Sequence, residues 1–148
     1  MRAGELASAF PTVRLDTPAI EAARLLAQEN LPGLIVVDGR GRPTTILPGT
    51  QVLRMAVPRY CQDDPALARV IDEAAADLIL NELTGRTVAE CLPEKDRELP
   101  VVETTATILE IAALMARTRT PLVAVVAHDG SLVGAITLDA LMDRLVAQ

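Results

Sequence analysis

Aromatic side chains are nearly absent: the chain has Phe10, Tyr60 and no tryptophan. A surface that stacks exposed bases needs such rings. A phosphate backbone needs clustered lysine and arginine, yet 20 acidic residues outnumber 14 basic ones for a formal net charge of −6. The composition therefore argues against nucleic acid as a partner. No stretch approaches the ~20 uninterrupted apolar residues of a membrane span, and residues 1–10 hold Arg2 and Glu5 without an apolar signal core. The chain is expected to be soluble and unprocessed, with no direct membrane insertion. Two cysteines, Cys61 and Cys91, make neither a disulfide framework nor a CxxC pair, which fits a reducing compartment, the cytoplasm. There is no Gly-x-Ser-x-Gly elbow, no phosphate loop ending in Lys-Ser/Thr and no His-Glu-x-x-His, so no catalytic equipment is visible and the chain does not read as an enzyme.

Half of the 148 residues are hydrophobic, enough for one core built from Leu, Val, Ile and Ala, which favours helices layered on sheets. The chain also repeats itself. Glu21 in Pro18–Ala27 and Glu110 in Thr107–Ala116 superpose at an offset of 89, and the same offset carries Pro32 to Pro121, Val36-Val37 to Val125-Val126 and Gly41 to Gly130. One offset through a helix, a strand and a turn marks an internal duplication.

Each copy reads as strand, helix, strand, turn, strand, helix. In the first, Thr12–Leu15 is a strand and Thr17-Pro18 offers a cap with proline at the first helical position. That helix is expected to bury Ile20, Ala23, Leu26 and Ala27. Leu34–Val37 is an apolar run between Pro32-Gly33 and Asp38-Gly39, a buried strand; Arg42–Leu47 continues the hairpin and Pro48-Gly49-Thr50 opens a helix to about Val57. In the second copy Thr107 and Glu110 fit a capping box, Pro121–Val126 and Leu132–Ile136 flank the turn His128-Asp129-Gly130, and a helix from Leu138 to Ala147 is expected to bury Leu138, Leu141, Met142 and Leu145. Between the copies, Tyr60–Gly85 reads as an amphipathic helix capped at Asp64-Pro65, with Leu67, Val70, Ile71, Ala74, Leu78 and Ile79 on one face and Gly85 as its stop. Thr87–Leu92 forms a short helical lead into the second copy, as Ala3–Ala9 does for the first. The predicted organisation is residues 1–58, a first motif; 59–86, the inserted helix; and 87–148, a second motif.

This repeated unit, with its Asp-Gly turn and closing Gly-x-Ile-Thr segment, resembles the CBS family, named after cystathionine β-synthase. The best match is Asp129-Gly130-Ser-Leu-Val-Gly-Ala-Ile-Thr137, followed by Leu138-Asp139-Ala-Leu-Met142. The resemblance implies an α/β (α+β) fold of two pseudo-symmetric β-α-β-β-α motifs packed through small sheets. It also implies two clefts in which adenine nucleotides or other adenosyl ligands bind, and pairing of two modules into a flat disc. The family's Gly-x-x-Thr-x-x-Asp segment supplies a hydroxyl for phosphate and a carboxylate for ribose. The second copy keeps Gly134 and Thr137, but Ala140 fills the Asp position and Asp139 lies one residue early, about 100° round a helix. In the first copy the matching positions are Thr45, Pro48 and Gln51, so that cleft reads as degenerate. The candidate ligand-binding residues are thus Gly134, Thr137 and Asp139, with Thr104, Thr120 and Leu122. What the resemblance implies is a stand-alone regulatory module that needs no cofactor, takes AMP, ADP or ATP as effector and relays it to a regulated enzyme or transporter, acting as a homodimer. A ligand-free interaction and dimerisation module is the alternative.

Each candidate also has a plain structural reading. Thr137 is placed to cap a helix with or without a ligand, and Asp139 suits the positive end of a helix dipole. His128 belongs to a hairpin turn and has no second ligand nearby for a metal. Cys61 and Cys91 lack a basic neighbour to activate a thiol. Asp63, Asp64, Asp72, Glu73 and Asp77 read as a cap and a solvated helix face.

Overall fold

The computed structural model describes residues 1–57, 62–64, 66, 69, 80–92 and 99–147. In the first half, α1 (Ala3–Leu6) leads to β1 (Thr12–Val13), α2 (Ala19–Gln28), β2 (Gly33–Val37), β3 (Pro43–Pro48) and α3 (Gly49–Ala56). In the second, α4 (Val88–Cys91) leads to β4 (Val101–Glu103), α5 (Ile108–Thr118), β5 (Leu122–Val126), β6 (Leu132–Thr137) and α6 (Leu138–Val146). This is the mixed α/β architecture of two tandem motifs that the duplication implies.

The strands form two three-stranded sheets, β1-β2-β3 and β4-β5-β6. In each, the first pair is parallel and the second antiparallel. The copies match in detail: both hairpins slip register at equivalent places, Val36/Val37 and Val125/Val126, and Gly41 and Gly130 both take the positive φ their turns require.

Alternation along the central strands sorts the core into layers. Leu34 and Val36 face α2 and α3, while Val123 and Val125 face α5 and α6. The intervening Ile35, Leu122 and Ala124 point the other way and meet Ile46 and Ala135 between the sheets. Fully enclosed residues such as Leu34, Ile35, Leu122 and Ile136 each contribute about 1.5–3 kcal/mol through burial. At the hairpin end the copies are tied by a bond from the Leu132 N–H to the Gly41 carbonyl, 3.3 Å.

The leading helices cross over. Ala3 and Gly4 donate to the carbonyls of Ala106 and Thr104, and Ser8 exchanges two bonds with Ala135, so α1 completes the second sheet rather than the first. Val88 and Ala89 donate to the carbonyls of Thr17 and Leu15, and Val88 and Cys91 join the first core. The two exchanges are equivalent at an offset of 85: Arg2 bridges Thr107 as Thr87 bridges Pro18, with Glu5 and Glu90 each closing a capping box. Thr87–Leu92 and Ala3–Ala9 are therefore helical leads as the sequence suggests, but each serves the other copy.

Two expected faces are shifted. In α2 the buried residues are Ala19 and Ala22, with Ile20, Ala23 and Leu26 half-buried and Ala27 exposed. Pro18 takes the N-cap position, because the Thr17 hydroxyl is engaged by the Arg14 N–H at 2.9 Å. In α6 only Leu141 is buried; Leu138, Met142 and Leu145 are each 43–50% exposed. Of the inserted segment, Asp64 caps through the Ala66 N–H at 3.0 Å, residues 80–83 are helical, Leu83 is buried and Gly85 stops the helix at φ 81. Leu67, Val70, Ile71, Ala74, Leu78, Ile79 and Cys61 lie outside the described residues.

Candidate functional site

Thr137 ends β6 and caps α6: its Oγ1 accepts the Ala140 N–H at 3.1 Å. That leaves the hydroxyl proton free to donate, at the end of a helix where backbone N–H groups favour an anion. In the first copy Pro48 caps α3 and offers no side-chain hydrogen bond. Asp139 stands exposed in the first turn of α6. Leu122 pairs with Thr137 across the hairpin, yet its side chain is fully enclosed between the sheets.

The other candidates have partners of their own. Gly134 is buried, and a Cβ there would stand 2.5 Å from the Ser8 carbonyl oxygen; the close approach that glycine permits is made by the leading segment. The Thr104 carbonyl receives the Gly4 N–H at 2.9 Å. Thr120 and Thr118 hydroxyls are 2.8 Å apart, and since Thr118 spends its proton on the Leu114 carbonyl at 2.6 Å, Thr120 donates in that pair. The six residues therefore fall into three groups: Thr137, Asp139 and Leu122 at the β5–β6–α6 junction, Gly134 and Thr104 beneath the leading segment, and Thr120 at the end of α5. Sequence reasoning passed over Gly4 and Ser8, whose partners lie about a hundred residues away and leave no local signal.

Thr120 does line a cavity, an open groove of about 370 Å³ between α5 and α6. Its walls are mainly apolar, including Met115, Leu138, Leu141, Met142 and Leu145, with Arg119 beside Thr120. Arg119 ends α5 in the left-handed region at φ 54, as Asn30 ends α2 at φ 53. Asparagine tolerates that conformation better than arginine. A second groove, about 340 Å³ beside β1 and α2, is lined by Thr12, Thr17, Glu21, Arg24 and Gln28 among others.

Electrostatics concentrate in the hairpin turns. The backbone N–H groups of Arg42 and Arg40 hold the Asp38 carboxyl below its ordinary value. The Ser131 hydroxyl, at 2.6 Å, and then its N–H do the same for Asp129. Burial pushes the Cys91 thiol up, so it is an enclosed neutral group rather than a nucleophile. Among the described residues, no group of three His, Cys, Asp or Glu side chains is placed to hold a metal ion, and no helix is long and apolar enough to cross a membrane.

The CBS domain family model matches residues 3–49 and 92–147. No curated protein matches the sequence. Among solved structures, the chain is 52% identical to a CBS domain-containing protein of unknown function from Kribbella flavida, covering 99% of both chains with a TM-score of 0.83. It shares its fold with CBSX2 of Arabidopsis thaliana at 17% identity and a TM-score of 0.76, covering 99% of this chain and 94% of that one; CBSX2 has also been solved in complex with AMP. A further likeness, at 24% identity and a TM-score of 0.64, is to the cytosolic domain of the Mg2+ channel MgtE in complex with ATP, where 97% of this chain matches 48% of that one. None of these matches indicates a catalytic family.

Proposed function

Because this chain belongs to the CBS domain family, we propose that it is a cytoplasmic regulatory module that pairs with a second copy and takes an adenine nucleotide, one per chain at most, beside the start of α6. The observation that carries the reading is the contrast between the two helix caps: Thr137 presents a free hydroxyl proton at the N-terminus of α6, where Pro48 at the start of α3 presents none. Phosphate oxygens would accept from the Thr137 hydroxyl at the N-terminus of α6, where the Leu138 N–H is bonded to the Pro121 carbonyl and the Ala140 N–H to Thr137. Ribose recognition is weak with Ala140 in the carboxylate position; a hydrogen bond to a charged acceptor contributes about 1.5–3 kcal/mol, so affinity falls about tenfold or more below an intact motif. The nucleotide acts by binding one arrangement of the pair better than the other, and a regulated enzyme or transporter reads the difference. CBSX2 with AMP and the MgtE domain with ATP support this reading by likeness of fold. Titration calorimetry with AMP, ADP and ATP tests it. Heat with the native chain, lost in Thr137→Val and strengthened in Ala140→Asp, is expected. No heat for any of the three ligands in either the native or the Ala140→Asp protein overturns it.

A second reading, a ligand-free assembly module, is favoured by one observation: Gly134 and Thr104, two of the six candidate residues, are engaged by Ser8 and Gly4 of the chain itself.

A further inference from the structure

The duplication supplies an internal control at the third residue of α2 and of α5, a glutamate in both copies, Glu21 and Glu110. Glu110 is occupied: its carboxylate accepts the N–H and the hydroxyl of the N-cap Thr107, at 3.4 and 3.3 Å. In the first copy the N-cap is Pro18, which has neither group to give. Glu21 thus keeps the residue without the task, and its exposed carboxylate has no hydrogen bond or ion pair among the described residues. Arg24 stands one turn further along α2, a neighbour by position, yet the two are not ion-paired. The equivalents of Arg24 and Thr17 are Ala113 and Ala106, so acid, base and hydroxyl meet in the first copy alone.

These three groups border the groove of about 340 Å³ beside β1, a volume in the range of small-ligand sites. The Thr17 hydroxyl oxygen accepts the Arg14 N–H at 2.9 Å, which leaves its proton to donate. Val13 and Leu25 supply apolar surface to the same groove. An acid and a base that stand side by side without pairing suit a guest carrying both opposite charges, each met by a charge-assisted hydrogen bond. A purely anionic guest is repelled by Glu21 and a purely cationic one by Arg24.

We propose that this groove binds a free α-amino acid with an apolar side chain. Its ammonium meets Glu21, its carboxylate meets Arg24 and the Thr17 hydroxyl, and its side chain lies over Val13 and Leu25. The groove shares no residue with the nucleotide position at the start of α6, so the proposal stands whether or not a nucleotide binds there. The Thr17 carbonyl also receives the Val88 N–H at 2.8 Å, which sets an occupant beside the joint through which α4 grips the first motif.

Amide NMR titration of the full chain with L-leucine into the millimolar range tests this, with Tm as a second readout. L-Leucine amide, which lacks the carboxylate, and isocaproate, which lacks the ammonium, serve as half-ligands. Leucine is expected to shift the amides of Thr17, Glu21 and Arg24 and to raise the Tm, because a ligand of the folded state stabilises it. Each half-ligand is expected to bind about tenfold or more weakly. Glu21→Gln and Arg24→Gln, both at exposed positions, are expected to leave the Tm of the free chain about where it is and to weaken leucine about tenfold or more. Glu110→Gln, the matched change in the second copy, is expected to leave leucine affinity within about twofold. No amide shift with leucine overturns the proposal. Half-ligands that bind as well as leucine overturn the zwitterion as its ligand. Leucine bound by Glu21→Gln and Arg24→Gln as by the native chain, or weakened as much by Glu110→Gln as by Glu21→Gln, overturns the choice of groove.

Discussion

Gly134 and Ser8 are in contact across 126 residues of chain: a Cβ on Gly134 would stand 2.5 Å from the Ser8 carbonyl oxygen and 3.1 Å from its carbonyl carbon. Ser8 cannot simply yield, since its N–H and carbonyl are both bonded to Ala135, at 3.0 and 2.9 Å. The equivalent residue in the first copy is Thr45, half-buried, so the same strand position accepts a side chain there. Gly134→Ala should therefore act by displacing the leading segment, at a cost of about 1–3 kcal/mol and a fall of several degrees in Tm. Amide exchange at Ser8 and Ala135 is the local readout. Unchanged protection at both would rule out this account of the glycine.

Removing residues 1–9 should be more damaging. Ala3 is fully buried in the second core, with Leu6 and Ala7 packed against it, and the Ala135 N–H would lose its partner. We expect a loss on the order of 2–4 kcal/mol from the burial and hydrogen bonds together. Exchange should quicken in β6 before it quickens in β2, since α4 and not α1 packs in the first core. Equal quickening in both sheets would mean that the segment stabilises the whole and not the second motif.

Both changes concern a contact the sequence does not announce. Much that is local was legible, although the Thr17 cap and the buried face of α2 were not. The 89-residue offset placed both hairpins, the Gly41 and Gly130 turns and the Thr107–Glu110 capping box, because each depends on residues a few positions apart. The exchange of α1 and α4 between copies was not legible, because a short helix lead carries no mark of which sheet it joins. Nor could periodicity settle α6. Leu138, Leu141, Met142 and Leu145 fall on an apolar stripe, and a stripe records that a face is apolar without recording what covers it. Of the candidate site, the Thr137 cap was readable from its place before a helix. That Gly134 meets Ser8, and that Leu122 points between the sheets, follow from partners far away in sequence.

Asp129 provides a pH test. The Ser131 hydroxyl and N–H favour its ionised form, so its folded-state pKa lies below the unfolded one. Such a group contributes stability that is present above the unfolded value, near 3.9, and is lost as pH falls through the folded value. Ser131→Ala removes the largest cause. The Asp129 pKa, followed by carboxyl NMR, should rise toward the ordinary range, and the acid limb of the stability curve should flatten. A titration that does not move would show that the turn backbone alone holds the carboxylate.

Thr137 is assigned two tasks, and substitutions can separate them. As a cap it accepts the Ala140 N–H; as a ligand contact it donates a proton to a phosphate oxygen. Thr137→Val removes both functions at similar volume and should cost about 1 kcal/mol of stability. Thr137→Asp keeps an acceptor for the Ala140 N–H, so stability should stay within about 0.5 kcal/mol of the native chain. It also sets a carboxylate where phosphate would come, and like charges repel. Nucleotide binding should therefore disappear in both variants while stability falls in one. Should Thr137→Asp bind AMP, ADP or ATP as the native chain does, the phosphate lies elsewhere and Thr137 is a helix cap only.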